Sequence, residues 1–127
     1  MQQREIPLFE SAGGMPFFAG LVDRFYAGVA TDPLLRQIYP EEDLAGARHR
    51  LTLFLAQYWG GPTTYNDERG HPRLRMRHFP FAIGPLERDR WLMHMGEAIR
   101  TMDPPADIAS RLHAYFGMAA EAMRNRT

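Results

Sequence analysis

The chain has 127 residues, 45% of them hydrophobic, and balances 15 Lys and Arg against 15 Asp and Glu. This composition predicts one globular domain over residues 1–127, and the balanced charge disfavours a nucleic-acid-binding protein. The sequence has no cysteine, which excludes a disulfide scaffold, a thiolate metal site and a catalytic thiol.

The N-terminal sequence MQQREIPLFE lacks the apolar stretch of a secretory signal. Uninterrupted apolar runs stay well below the length of a membrane-spanning helix. We therefore expect a cytoplasmic protein without a membrane segment.

The N-terminal half predicts helices separated by glycine and proline. Residues 1–10 form a lead-in, in which Leu8 and Phe9 open a short helical turn, and Gly13-Gly14 then interrupts the chain. Apolar residues recur at three- and four-residue steps over residues 15–30 and predict a helix, which Thr31-Asp32-Pro33 ends. A short helical turn follows, and it stops at Tyr39-Pro40.

The middle of the chain predicts a long helix over residues 42–59, with an acidic start that suits the helix dipole. Gly60-Gly61-Pro62 terminates this helix. Residues 62–72 are rich in Thr, Asn, Asp, Gly and Pro, and we expect a long loop there, which in a compact domain is usually functional.

The segment HPRLRMRHFPF, residues 71–81, alternates Arg and apolar residues as a strand would. Since no convincing partner strand exists in the sequence, we predict a short helix that places Leu74 and His78 on one face. Further helices are predicted over residues 85–102 and 106–124, and a tail over 124–127. The fold class is therefore all-α.

The same segment places His78 near Arg73, Arg75 and Arg77. A neutral imidazole can ligate haem iron, and guanidinium groups pair well with carboxylates such as propionates. This spacing suggests a haem site, but a basic, proline-bounded segment is more often a solvated surface loop.

The other candidates have simpler interpretations when taken singly. His49 lies on the polar side of the long helix, and His94 and His113 lie inside helices without a second ligand at metal spacing. We therefore expect surface or core roles for these three. Tyr26, Tyr39 and Trp91 fall on apolar helical faces or at their ends. Each could be a core residue with its polar tip bonded to a carbonyl, or all three could direct donors into one cavity over a cofactor.

Together these residues carry a family resemblance. The blocks that carry it, in chain order, are Phe25-Tyr26, Tyr39-Pro40, Tyr58-Trp59-Gly60-Gly61-Pro62, His71 to His78 and Trp91. Over residues 11–123 the sequence resembles the group II truncated haemoglobins, whose fold is a truncated globin-like two-over-two helical sandwich.

The resemblance implies non-covalent haem b (iron protoporphyrin IX) with His78 as the axial iron ligand. It implies that Tyr26, Tyr39 and Trp91 are distal hydrogen-bond donors to the bound ligand. Further cofactor-binding positions are implied along the haem wall and edge: Ala47, Leu51, Phe54, Leu74, Arg77, Arg75, Arg50 and His71. Among the cations, Arg77 is the favoured propionate partner.

Two functions remain open from the sequence. The first is binding of dioxygen and other diatomic gases at a five-coordinate haem, with slow oxygen release. The second is a haem redox enzyme, a peroxidase or a nitric oxide oxidiser, which would need an external reductase because the chain has no flavin or nicotinamide domain. We expect a monomer or homodimer with no nucleic-acid partner.

Overall fold

A computed structural model of the chain describes residues 6–40, 43–78 and 80–127, with Leu74 and Arg75 described for the backbone alone. These residues form helices and connections, without a strand. The helices are α1 (Leu8–Ala12), α2 (Met15–Ala30), α3 (Pro33–Arg36), α4 (Ala45–Tyr58), α5 (Thr64–Arg69), α6 (Leu74–His78), α7 (Pro85–Met102) and α8 (Ala106–Met123). The predicted all-α class is confirmed.

The architecture is two helix pairs, one laid over the other. Helix α2 packs on α4 in one layer, α7 packs on α8 in the other, and α2 and α7 join the layers. The apolar stripe of α2 is almost completely buried, with Phe18 and Phe25 at 0% exposure. This stripe forms the centre of the core because it faces both the second layer and α4.

Local chemistry sets most helix ends. The predicted bounds of α2 and α7 agree with the structure, and both helices carry a proline in the first turn, where its missing N–H costs nothing. The predicted start of α4 at Glu42 is wrong for the described residues: Asp43 Oδ1 accepts a hydrogen bond from Ala45 N at 3.0 Å, which places Asp43 before the helix. Residues 1–5 of the lead-in lie outside the described residues, and so do Glu41, Glu42 and Phe79.

The predicted loop over 62–72 is also wrong, since α5 lies within it. Tyr65 is buried at 4% exposure and its ring contacts Phe54 with centroids 5.6 Å apart. Gln57 Oε1 accepts a hydrogen bond from Asn66 N at 2.9 Å. Tertiary contacts therefore fold a segment whose composition is typical of a loop.

Within the described residues, the segments near both ends of the chain contact the rest of the fold, and the short helical turn predicted at Leu8 and Phe9 is present as α1. Helix α1 begins at Leu8, which is 1% exposed, and Phe9 N donates to Trp59 O at 3.0 Å. Gly61 is needed at this junction because a Cβ there would lie 2.7 Å from the Phe9 ring. Helix α8 ends at Met123, not Arg124, and Asn125 then bonds to the segment that follows α6.

Candidate functional site

A cavity of about 530 Å³ lies between the layers, within the size range of ligand sites. Its walls come from several helices and are mainly apolar. The predicted residues that line it are Tyr26, Tyr39, Ala47, Arg50, Leu51, Phe54, Arg77, His78 and Trp91. The fold thus brings residues from most of the chain to one site.

The three polar-tipped aromatics form one cluster at the cavity wall. The Tyr26 and Tyr39 rings meet edge to face with centroids 5.5 Å apart. The centroid of the Phe25 ring lies 4.9 Å from that of the Tyr26 ring and 4.9 Å from that of the Trp91 ring. Because Phe25 is fully buried, it acts as a rigid spacer that sets the distance between Tyr26 and Trp91.

Local bonds fix Tyr39 in the irregular segment after α3. Arg36 Nη1 donates to Tyr39 O at 2.9 Å, and Tyr39 N donates to Arg36 O at 3.2 Å. The ring is therefore held against Tyr26 although Tyr39 lies outside any helix.

His78 is the last residue of α6, is half-buried, and lines the cavity. The short helix agrees with the prediction made against the strand-like alternation. Arg77 stabilises α6, because its Nε donates to Pro72 O at 2.8 Å and its Nη2 donates to Arg69 O at 3.2 Å. A guanidinium carries more N–H groups than those two bonds use, so Arg77 can also face a carboxylate.

The predicted cationic partners of the haem do not all lie at the cavity. Arg50 and Arg77 line the cavity, whereas His71 is exposed in the turn before α6 and is not among the lining residues. His71 Nδ1 accepts a hydrogen bond from Arg73 N at 3.3 Å, which directs the imidazole to its own turn. The predicted role of Leu74 and Arg75 rests on side chains outside the described part of the chain.

Other lining residues escaped the sequence interpretation. Tyr65 and Arg69 share a face of α5 at four-residue spacing and both reach the cavity, but their segment was interpreted as loop. Arg88 lines the cavity too, and its carboxylate neighbours Glu121 and Asp89 raise the pKa of this guanidinium. The four-residue spacing of Tyr65 and Arg69 could have indicated a shared helical face. Arg88 could not be assigned to the cavity from the sequence, because that requires knowing which face of α7 points into the site.

On α8, Tyr115 belongs to the predicted core stripe and also lines the cavity. Burial raises the pKa of the Tyr115 phenol to about 12, so this group remains protonated at neutral pH. The centroid of the Tyr115 ring lies 4.2 Å from that of Tyr58 and 4.9 Å from that of Trp59. An aromatic cluster therefore closes this end of the site.

The site combines an imidazole, arginines, apolar walls and a group of aromatic donors. This donor set fits a flat, apolar, carboxylate-bearing cofactor with a metal centre, which is the chemistry of haem. A family model described as bacterial-like globin matches residues 7–125. The chain belongs to the bacterial-like globins.

Relatives and solved structures agree with that family. The chain is 40% identical to the group 2 truncated hemoglobin YjbI of Bacillus subtilis (strain 168), over 90% of this chain and 86% of that protein. It is 56% identical to a thermostable hemoglobin of the actinobacterium Thermobifida fusca, with a TM-score of 0.93, over 94% of this chain and 98% of that one.

A third similarity is to a truncated oxygen-avid haemoglobin of Bacillus subtilis, at 38% identity and a TM-score of 0.89, over 94% of this chain and 100% of that one. The resemblance to group II truncated haemoglobins and the two-over-two fold are therefore confirmed. Membership among the globins implies a haem cofactor and supports haem-based oxygen binding in general. Among the described residues, no helix has the length and apolar character needed to cross a membrane.

Proposed function

We propose that this globin binds haem b non-covalently with His78 as the single protein ligand to iron, and that it holds dioxygen tightly. The observation that carries the proposal is that one cavity is lined by His78 together with Tyr26, Tyr39 and Trp91. The sequence has no cysteine for a thioether link, which fits non-covalent binding.

His78 would act as a neutral imidazole, the form that ligates a metal. Arg77 and Arg50 would pair with the propionates, and Ala47, Leu51 and Phe54 would cover the haem face. When bound, the haem iron supplies a coordination position for dioxygen or another diatomic gas. The protein residues decide how strongly that gas is retained.

Tyr26, Tyr39 and Trp91 would retain it by hydrogen bonding. A ligand that gains negative charge on binding becomes a better acceptor for phenol and indole donors. A net hydrogen bond contributes about 0.5–1.5 kcal/mol, so two or three donors together would contribute about 1–4.5 kcal/mol and slow dissociation by about five- to two-thousand-fold. Ala47 has no donor group, so this stabilisation would fall to the aromatic cluster.

Tight binding is supported by one relative, since the Bacillus subtilis haemoglobin of similar structure is oxygen-avid. The comparisons do not favour the redox alternative. A globin that releases oxygen slowly would be poorly suited to delivering it, and better suited to sensing or scavenging.

The test is reconstitution of the purified chain with haem b, followed by a visible spectrum and a stopped-flow oxygen off-rate. We expect an intense Soret band, a five-coordinate ferrous spectrum before oxygen is added, and slow oxygen release. Absence of the Soret band would contradict haem binding, and fast release would contradict tight binding. Sustained turnover of peroxide or nitric oxide with a reductase would instead support the redox enzyme.

A further inference from the structure

Asp32 is a charged residue that the proposed function does not use, although it is buried at 3% exposure among the described residues. It lies between α2 and α3 and its two carboxylate oxygens have different partners. Oδ1 accepts from Leu34 N at 3.1 Å, which caps α3. Oδ2 accepts from Arg90 Nε at 3.0 Å and is 2.8 Å from His94 Nε2, both on α7.

The two partners on α7 stand on either side of Trp91 in the chain. Arg90 precedes Trp91 directly and His94 follows one helical turn after Arg90, so both side chains lie on one face of the helix. Their convergence on Oδ2 fixes the rotation and height of α7 relative to the corner between α2 and α3. Trp91 is thereby held in its position against Phe25.

A close approach of α2 and α7 completes this junction. The His94 ring lies so near Gly28 that a Cβ at that position would be 2.5 Å from Nδ1. Any larger residue at position 28 would displace the imidazole and with it the bond to Asp32. Gly28 is two residues beyond Tyr26, so the junction contacts α2 less than one helical turn from this donor.

We propose that Asp32 is a positioning residue for the distal donor Trp91. It ties α7, the helix that carries Trp91, to the corner from which Tyr26 and Tyr39 extend. The pair of Asp32 with Arg90 adds little net stability, because desolvation of the buried carboxylate opposes the attraction and the Arg90 side chain is 42% exposed. Its directional bonds from two residues of α7 nevertheless restrict how that helix sits on the corner. Three donors on three separate segments need such a constraint if they are to converge on one small ligand. This inference rests on the proposed function.

The experiment uses Asp32→Asn in the haem-loaded globin. The amide retains an acceptor oxygen for Leu34 N, so the cap of α3 is kept, while an NH₂ group replaces Oδ2 and cannot accept from Arg90. Glu97→Gln is the matched control, since it makes the same chemical change at an exposed ion pair with Arg100 on the same helix.

Three measurements follow: the oxygen off-rate, the infrared C–O stretch of the carbon monoxide complex, and the Trp91 indole N–H resonance of the haem-free chain. In Asp32→Asn we expect release faster by about two- to tenfold, the loss of about one hydrogen bond. The C–O band should shift to higher frequency and the indole resonance should move, whereas Glu97→Gln should match the wild type in all three.

A double variant separates positioning from general destabilisation. If Asp32 acts through Trp91, then Asp32→Asn with Trp91→Phe should release oxygen no faster than Trp91→Phe alone. The inference would be overturned if the two substitutions accelerated oxygen release independently, so that their effects on the off-rate multiplied. It would also be overturned if Asp32→Asn lowered stability but left the C–O band and the indole resonance unchanged. If Trp91→Phe alone leaves release unchanged, Trp91 is not a donor and the inference that Asp32 positions it is overturned. The Soret band and the slow oxygen release of the wild type test the proposed function separately.

Discussion

Asn125 and Ile83 are joined by reciprocal hydrogen bonds between the C-terminal tail and the segment after α6. Ile83 N donates to Asn125 Oδ1 at 2.8 Å, and Asn125 N donates to Ile83 O at 2.8 Å. The Asn125 amide also donates to Phe81 O at 2.7 Å and lies 3.4 Å from His78 O. The Asn125 side chain thus ties the tail to Phe81 and Ile83, within five residues of the candidate iron ligand.

Asn125→Ala should loosen this segment. It removes the acceptor for the Ile83 N–H, so we expect amide hydrogen exchange at Ile83 to accelerate by about three- to tenfold. Arg126→Ala is the control, because the Arg126 backbone N–H bond to Ile83 O does not depend on its side chain. Equal exchange in both variants would show that the Asn125 side chain does not hold the segment.

His78→Gly should abolish normal axial ligation if His78 holds the iron. We expect loss of the five-coordinate ferrous spectrum, and added imidazole should restore it because it can occupy the vacated space. His71→Gly is the control, since His71 is exposed and does not line the cavity. A wild-type spectrum in His78→Gly would mean that another residue is the ligand.

Trp91→Phe should release oxygen faster by about two- to tenfold, as expected for the loss of one hydrogen-bond donor. Trp59→Phe makes the same change in a tryptophan that is buried in the neighbouring aromatic cluster but is not among the cavity-lining residues. It should leave the off-rate near that of the wild type. Stopped-flow displacement by carbon monoxide measures both, and similar rates in the two variants would remove Trp91 from the donor set.

Arg77→Met should weaken haem retention by about tenfold or more, because it removes a charged partner for a propionate. It also removes the bonds to Pro72 O and Arg69 O that brace α6. Transfer of haem to an apo-globin acceptor measures the loss, with Arg111→Met on the exposed face of α8 as the control. Unchanged transfer would leave Arg50, Arg69 and Arg88 as the other described arginines that line the cavity.

Acid should weaken the junction at Asp32. Hydrogen bonding from His94 and the charge of Arg90 hold the pKa of the Asp32 carboxyl below its ordinary value of 3.8. A carboxyl whose pKa is lower in the folded state stabilises the fold above its ordinary pKa and loses that contribution as pH falls through the lowered one. Urea unfolding should therefore show a smaller loss of stability between pH 7 and pH 3 in Asp32→Asn than in wild type; equal losses would contradict this.

The sequence predicts the long helices well because their signals are local. Proline in the first turn and the spacing of apolar residues define α2 and α7 within the segments that carry them. It does not predict α5, because that helix depends on the contacts of Tyr65 with Phe54 and of Gln57 with Asn66. Short polar segments take their structure from the surface on which they pack.

The same distinction applies to the site. The blocks around Tyr26, Tyr39, His78 and Trp91 are readable in the sequence, and the fold brings them to one cavity, although their roles remain predictions. The pairing of Asp32 with His94 is not readable, because the two residues are 62 positions apart and only the crossing of α2 over α7 brings them together.

The placement of the two tryptophans gives the globin a built-in optical reporter. Trp91 lines the cavity, and Trp59 contacts the ring of Tyr115, which also lines it, edge to face. A haem in that cavity would lie within energy-transfer range of both indoles and would quench their emission. The fluorescence of the unmodified chain can therefore follow cofactor uptake and loss in real time, without a label.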